Sequence, residues 1–382
     1  MKKMYWRPKS VSRTALALIA AGALSGYVLV EKVKLTVRQP FFKEKLQAAR
    51  LAKTAFDAVR KERLRRRMPI DVETDPAQSG LIGTLMTPVT TNPGSLASKR
   101  TAVNPNFAAI VVHYLMRAGV TEGDVVAVGY SGSFPAINIA VLSAIETLKL
   151  KPIVISSAAS SQWGANEPGM LWPDIERVLL KRKIISYGSV AASIGGIEDR
   201  GLGMSKRGRR ILLEAIDRQG ITLIDPDTFA KSVETRMKIY QDHADGAPIK
   251  VYVNVGGGTI SVGRKFGKRL FKPGLNRRVP PAGSSLESVM SSFLEAGVPV
   301  IHLVKINQLA TRFGLPEQPI PIPDPGQGAI YIRREYNRYL VFGLLVGVIG
   351  ALYLFVRSDL GFRLTRGPGM KKQASGTPEP MV

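Results

Sequence analysis

Residues 124–157 read DVVAVGYSGSFPAINIAVLSAIETLKLKPIVISS. A buried-type apolar run, Val125–Val128, breaks into a small-residue turn over Gly129–Ser133. An apolar helix pattern follows, with Pro135 in its first turn, where a missing N–H is tolerated. A second β-branched run, Ile153–Ile155, closes the unit. Strand, turn, helix and strand in this order build a parallel sheet with covering helices. The alternation continues on both sides. Helix patterns cover 106–119, 173–183, 209–220, 227–243, 285–299 and 306–316, and strand patterns cover 221–225, 249–259 and 300–304. Right-handed crossovers place the ligand side at the carboxyl ends of the strands. The expected class is α/β, a Rossmann-like, mostly parallel sheet with helices on both faces.

The chain of 382 residues carries 54 Lys+Arg against 29 Asp+Glu, a net charge of +25. Such an excess predicts anionic partners. There is no cysteine, which excludes disulfides and thiolate metal sites. His113, His243 and His302 are far apart and at no ligand spacing, so no metal is expected.

Two apolar segments, 14–30 and 339–356, are expected to be transmembrane helices, with basic flanks. The implied order is a basic tail (1–13), the first span (14–30), a basic amphipathic stalk helix (31–68), a globular domain (69–330) with a Pro-rich connector (317–328), the second span (339–356) and a disordered basic tail (357–382). Both termini then share one side of the membrane. The globular domain is expected outside the cytoplasm and the basic helix near anionic lipid.

Several loops could carry chemistry. Gly129–Pro135 aims backbone N–H groups and the hydroxyls of Ser131 and Ser133 at one point around Gly132. This fits an anion-binding turn, plain strand–helix packing or a serine nucleophile. Ser156–Asp174 sets Ser156, Ser157, Ser160, Ser161, Gln162 and Asn166 beside Trp163 and Trp172, which suits a ligand cleft or an ordinary packed loop. Ala192–Arg210 is a glycine-rich basic loop holding Glu198 and Asp199, the best acidic catalytic pair in the chain, although adjacent residues tend to point apart. Val251–Gly263 carries Gly256, Gly257, Gly258 and Thr259. It is followed by Arg264, Lys265, Lys268, Arg269, Lys272, Arg277 and Arg278 with no acid among them. Exposed N–H groups beside a row of cations suit a polyanion; a charged, solvated surface loop is the plainer reading.

The stretch NVGGGTISVG resembles the second phosphate loop of the actin and heat-shock-chaperone ATPases, Asp-x-Gly-Gly-Gly-Thr. Here Asn254 replaces the acid, and neither a partner Asp-x-Gly-Thr loop nor a Walker sequence is present, so no nucleotide cofactor is expected. As a whole, VGYSGSFPAINIA (128–140), SSAASSQWGANEPGMLWPDIE (156–176), VNVGGGTISVG and the two flanking apolar segments resemble the poly-γ-glutamate system protein family. Its members are membrane proteins encoded beside the machinery that makes and exports poly-γ-glutamate in some bacteria. The resemblance covers most of the chain and brings no catalytic residues with it. It implies an accessory protein of the cytoplasmic membrane, with poly-γ-glutamate, membrane lipid and synthase or export subunits as partners and no nucleic acid. The expected polymer contacts are Ser131, Gly132, Ser133, Gly256, Gly257, Gly258, Thr259, Arg264, Lys265, Lys268 and Arg269. Two alternatives stay open. One is a hydrolase or amide-transfer enzyme using Ser131 or Glu198 and Asp199. The other is a scaffold with no polymer contact.

Overall fold

The computed structural model describes residues 13–281 and 286–357, without the side chains of 13–15, Lys265 and 355–357. The predicted tails before residue 13 and after residue 357 lie outside the described residues.

The chain opens with α1 (Arg13–Lys32), β1 (Lys34–Arg38) and α2 (Phe42–Arg65), followed by α3 (Leu96–Ala102) and α4 (Phe107–Ala118). The unit read first from the sequence becomes β2 (Val125–Ser131), α5 (Pro135–Leu148) and β3 (Lys151–Ser157). Then come α6 (Trp172–Lys181), β4 (Ser189–Ser193), α7 (Lys206–Asp217), β5 (Thr222–Ile224) and α8 (Phe229–Ala244). The next elements are β6 (Ile249–Val255), α9 (Thr259–Val262), α10 (Arg264–Leu270), β7 (Gly274–Asn276) and α11 (Val289–Glu295). The last are β8 (Val300–Leu303), α12 (Ile306–Arg312), β9 (Ile332–Tyr336) and α13 (Arg338–Arg357).

Two units are distinct: Arg38–Ile332, and the pair of terminal segments Met1–Val37 and Arg333–Val382. In the terminal unit β1 pairs with β9. There α13 lies against α1, with Leu344 closing on Gly26, where an added Cβ would push the Leu344 side chain aside. The sequence led us to expect transmembrane helices here, and that expectation is corrected. Among the described residues no helix is long and apolar enough to cross a membrane.

The large unit is α/β around a seven-stranded sheet of order β5-β4-β3-β2-β6-β8-β7. All pairs are parallel except β7 with β8, so the sheet is mixed. β7 falls inside the stretch read as a cationic loop; the left-handed backbone of Gly274, right after Pro273, precedes its reversed course. β4 went unread because Ser189–Ser193 has one β-branched residue. Its small side chains suit a strand wedged between β3 and β5.

Alternation along β2 separates two cores. Val126, Val128 and Tyr130 face one cluster with α2, α4, α5 and α6, and Ala127 faces another with α8 and α11. The basic amphipathic stalk helix of the sequence is α2, and it belongs to the first core. Ala48, Ala49, Ala52, Ala55, Phe56 and Val59 are buried on it. Small alanines let α2 approach α5 closely, while its arginines and lysines stay on the outer face. Two are exceptions: Arg63, buried in an ion pair with Glu167, and Lys45. Lys45 is buried, donates to the Ile330 carbonyl at 3.0 Å, and desolvation pulls its pKa down to about 8.

Candidate functional site

The chain enters the sheet at its middle, β2, steps outward through β3, β4 and β5, and returns to β6 on the other side of β2. Loops leaving β2 and β6 therefore diverge and open a crevice at their carboxyl ends. A cleft of about 460 Å³ lies there. The ends of β2, β3, β4 and β6 all contribute to it, through Ser131 and Ser133, Ser157 and Ser161, Gly195, Gly196, Ile197 and Asp199, and Gly256–Ser261.

One wall is built of hydroxyls. The Ser133 N–H donates to Ser131 Oγ (3.3 Å), and the Ser161 N–H donates to Ser133 Oγ (3.1 Å). Behind them stands Lys99 of α3, 3% exposed. Its Nζ donates to Ser161 Oγ at 2.9 Å and to the Ser133 carbonyl, and lies 3.9 Å from the centre of the Phe134 ring. Burial alone pulls the Lys99 pKa down to about 7. Gly132 and Gly164 allow this crowding. A Cβ on Gly164 would sit 2.2 Å from Ser160 Oγ and 2.8 Å from the Ser133 carbonyl oxygen.

The floor is an ion pair. Asp199 accepts from Arg236 of α8 (2.5 Å), from Ser193 Oγ (2.6 Å) and from Ser232 Oγ (2.9 Å). Arg236 also donates to Ser193 Oγ at 2.8 Å. Both charges are buried and paired, so Asp199 is a structural anchor of the cleft. Glu198 points the other way, to Arg264 at 3.4 Å. The two acids form no catalytic pair, because consecutive left-handed residues turn their side chains apart.

The opposite wall is the triple-glycine turn. Asn254 is buried inside it. Its Nδ2 donates to the Gly256 carbonyl (2.8 Å) and to His302 Nδ1 (2.9 Å), and burial holds His302 neutral with a pKa of about 4. Asn254 thus braces the turn from behind, where an ATPase loop would need an acid facing the ligand. Gly256 is left-handed and donates to the Leu303 carbonyl. Among the described residues the N–H groups of Gly257 and Gly258 donate to nothing, and Thr259 Oγ1 is buried without a partner. Lys268 of α10 lies over Gly257 and forms no ion pair among the described residues.

Chain comparison adds nothing to this picture. No family model, curated protein or solved structure matches the sequence. The site stands on its geometry.

The cleft brings together Ser131, Ser133, Gly256, Gly257, Gly258, Thr259 and Lys268. Gly132 is buried just beneath, under the Ala159 carbonyl. Arg264 is exposed and committed to Glu198 and the Phe229 ring, and Arg269 is exposed away from the cleft lining. The Lys265 side chain lies outside the described residues. Trp172 is fully buried against Tyr130, and Gln162 and Asn166 hold the preceding loop, bonding Gly94, Thr84 and Thr90. That loop carries Thr91, Asn92 and Pro93 into the cleft, which sequence reasoning missed along with Lys99 and Arg236. A lone Lys in SLASKRTA carries no spacing signal. Only its burial marks it.

Proposed function

We propose that this chain is an accessory protein of poly-γ-glutamate production or export that holds the acidic chain in the cleft at the carboxyl edge of the sheet. The reading rests on one observation: the glycine wall brings unsatisfied N–H groups and a Lys268 without an ion pair among the described residues to a single space, with the buried Thr259 hydroxyl unpartnered behind them. Donors and a cation without a protein acceptor suit carboxylates. The net charge of +25 adds a long-range attraction that salt screens over about 8 Å. The resemblance to the poly-γ-glutamate system family points to the same polymer.

The test is a binding titration of the full-length chain with poly-γ-glutamate, using dextran as the neutral control, at low and high salt. The expected result is polymer-selective binding that weakens with salt, and a roughly tenfold loss, about 1.4 kcal/mol, in Lys268→Glu. Equal affinity for dextran, or an unaffected Lys268→Glu variant, overturns the reading.

A further inference from the structure

The Lys99 side chain is used by nothing in a purely binding cleft. A lysine is an expensive residue to bury, and a binding role for it would call for an acid partner or an open path to the ligand. Among the described residues no carboxylate touches it. Its contacts are the Ser161 hydroxyl, the Ser133 carbonyl and the face of Phe134. Ser161 Oγ in turn belongs to the cleft lining. A hydroxyl that faces a ligand space and is backed by a buried amine is the arrangement of a nucleophile and its base.

We propose that Ser161 and Lys99 form a serine–lysine dyad that hydrolyses an amide bond of the acidic chain bound in the cleft. The choice of substrate rests on the function proposed above; the dyad itself rests only on the geometry around Ser161.

The neutral Lys99 amine accepts the Ser161 proton while Oγ bonds to the carbonyl carbon of the amide. The Ser133 carbonyl keeps one N–H of Lys99 engaged and so aims its lone pair at Oγ. The C–N bond then breaks, and Lys99 delivers the proton to the departing amine nitrogen. Water attacks the resulting ester on Ser161, with Lys99 taking one of its protons and returning it to Oγ as the ester C–O bond breaks. The products are an amine and a carboxylic acid, which ionises to solvent. The base must be neutral near pH 7. Burial achieves this, and no charged group on α3 or the elements around it contributes to the shift. Arg100, the nearest cation in sequence, turns away to the carbonyls of Glu73 and Thr74.

The experiment treats the full-length chain with a fluorophosphonate and maps adducts by mass spectrometry. The same preparations are followed for shortening of poly-γ-glutamate. The expected adduct is on Ser161, forming faster as pH rises through about 7, where Lys99 loses its proton. It is absent in Ser161→Ala. In Lys99→Arg, whose guanidinium stays protonated and cannot act as a base, the rate falls about 100-fold or more. Thermal melts verify that both variants fold; should Lys99→Arg not fold, the pH profile of the wild-type adduct carries the test. No adduct at Ser161 in the folded wild type, or an adduct rate independent of pH between 6 and 8, overturns the dyad. An adduct without polymer shortening keeps the dyad and overturns the acidic-chain substrate. Polymer binding with no adduct overturns the dyad and leaves the binding function standing.

Discussion

The two walls of the cleft are built on opposite principles. On the serine wall every polar atom described above has a partner: Ser161 N–H to Ser133, Lys99 to Ser161 and Ser133, Asp199 to Arg236, Ser193 and Ser232. On the glycine wall the partners lie behind the turn, at Asn254 and His302, and the groups facing the cleft are left open. A satisfied, dehydrated wall holds a reacting group in one geometry and tunes its proton affinity. An unsatisfied, solvated wall waits for acceptors from outside. The contrast assigns chemistry to one side and capture to the other.

The largest expected effect breaks the serine wall at its floor. Asp199→Asn leaves Arg236 buried without a counter-charge, and removing one partner of such a pair costs about 3–5 kcal/mol. Chemical denaturation of the full chain measures this; a loss below about 1 kcal/mol would show that the floor is more solvated than its burial indicates. A subtler change concerns Lys99. Its pKa falls from 10.5 in the unfolded chain to about 7 in the folded one. Between those values the unfolded chain holds a proton that the folded chain has lost, so stability rises with pH. The contribution is full above 10.5 and disappears as pH falls through about 7. Lys45 shifts in the same direction, so the informative quantity is the difference between wild type and Lys99→Met over pH 7 to 9. The wild type gains stability relative to the variant across that window. A constant difference would mean that Lys99 stays protonated and the two walls are less distinct than drawn. The smallest effect is expected outside the cleft. Arg277 donates to the Arg117 carbonyl, away from both walls. Arg277→Glu shifts stability by less than about 0.5 kcal/mol and changes poly-γ-glutamate affinity much less than Lys268→Glu does. An equal loss would replace the cleft by a diffuse basic surface.

Much of the architecture was legible in the sequence. Val125–Ser157 gives strand, turn, helix and strand because its residues obey local periodicity and its turn is marked by glycine and proline. The glycine wall was legible for the same reason: three consecutive glycines announce a backbone that must approach something closely. Lys268 could be picked out as one of a row, but not separated from Arg264 or Arg269, since their directions depend on how α10 packs. The serine wall was only half legible. Ser131, Ser133 and Ser161 stand in visible serine clusters, whereas Lys99 enters from a seven-residue helix on a different stretch of chain. Its importance comes from dehydration, a property that no local spacing encodes. The helix α2 was legible as basic and amphipathic, but what its alanine face packs against, the first core of the large unit, is set by distant stretches of chain and no local spacing encodes it.

That helix has a consequence for how the molecule is made. Lys45 reaches the carbonyl of Ile330, 285 residues downstream, and Tyr331 donates to Asn106 Oδ1 at 2.8 Å. The earliest helix of the large unit therefore finds its final lock only after the last part of that unit has left the ribosome. During synthesis an alanine-rich hydrophobic face emerges long before its seat is complete, and a chain stopped before residue 330 would leave that latch unfastened.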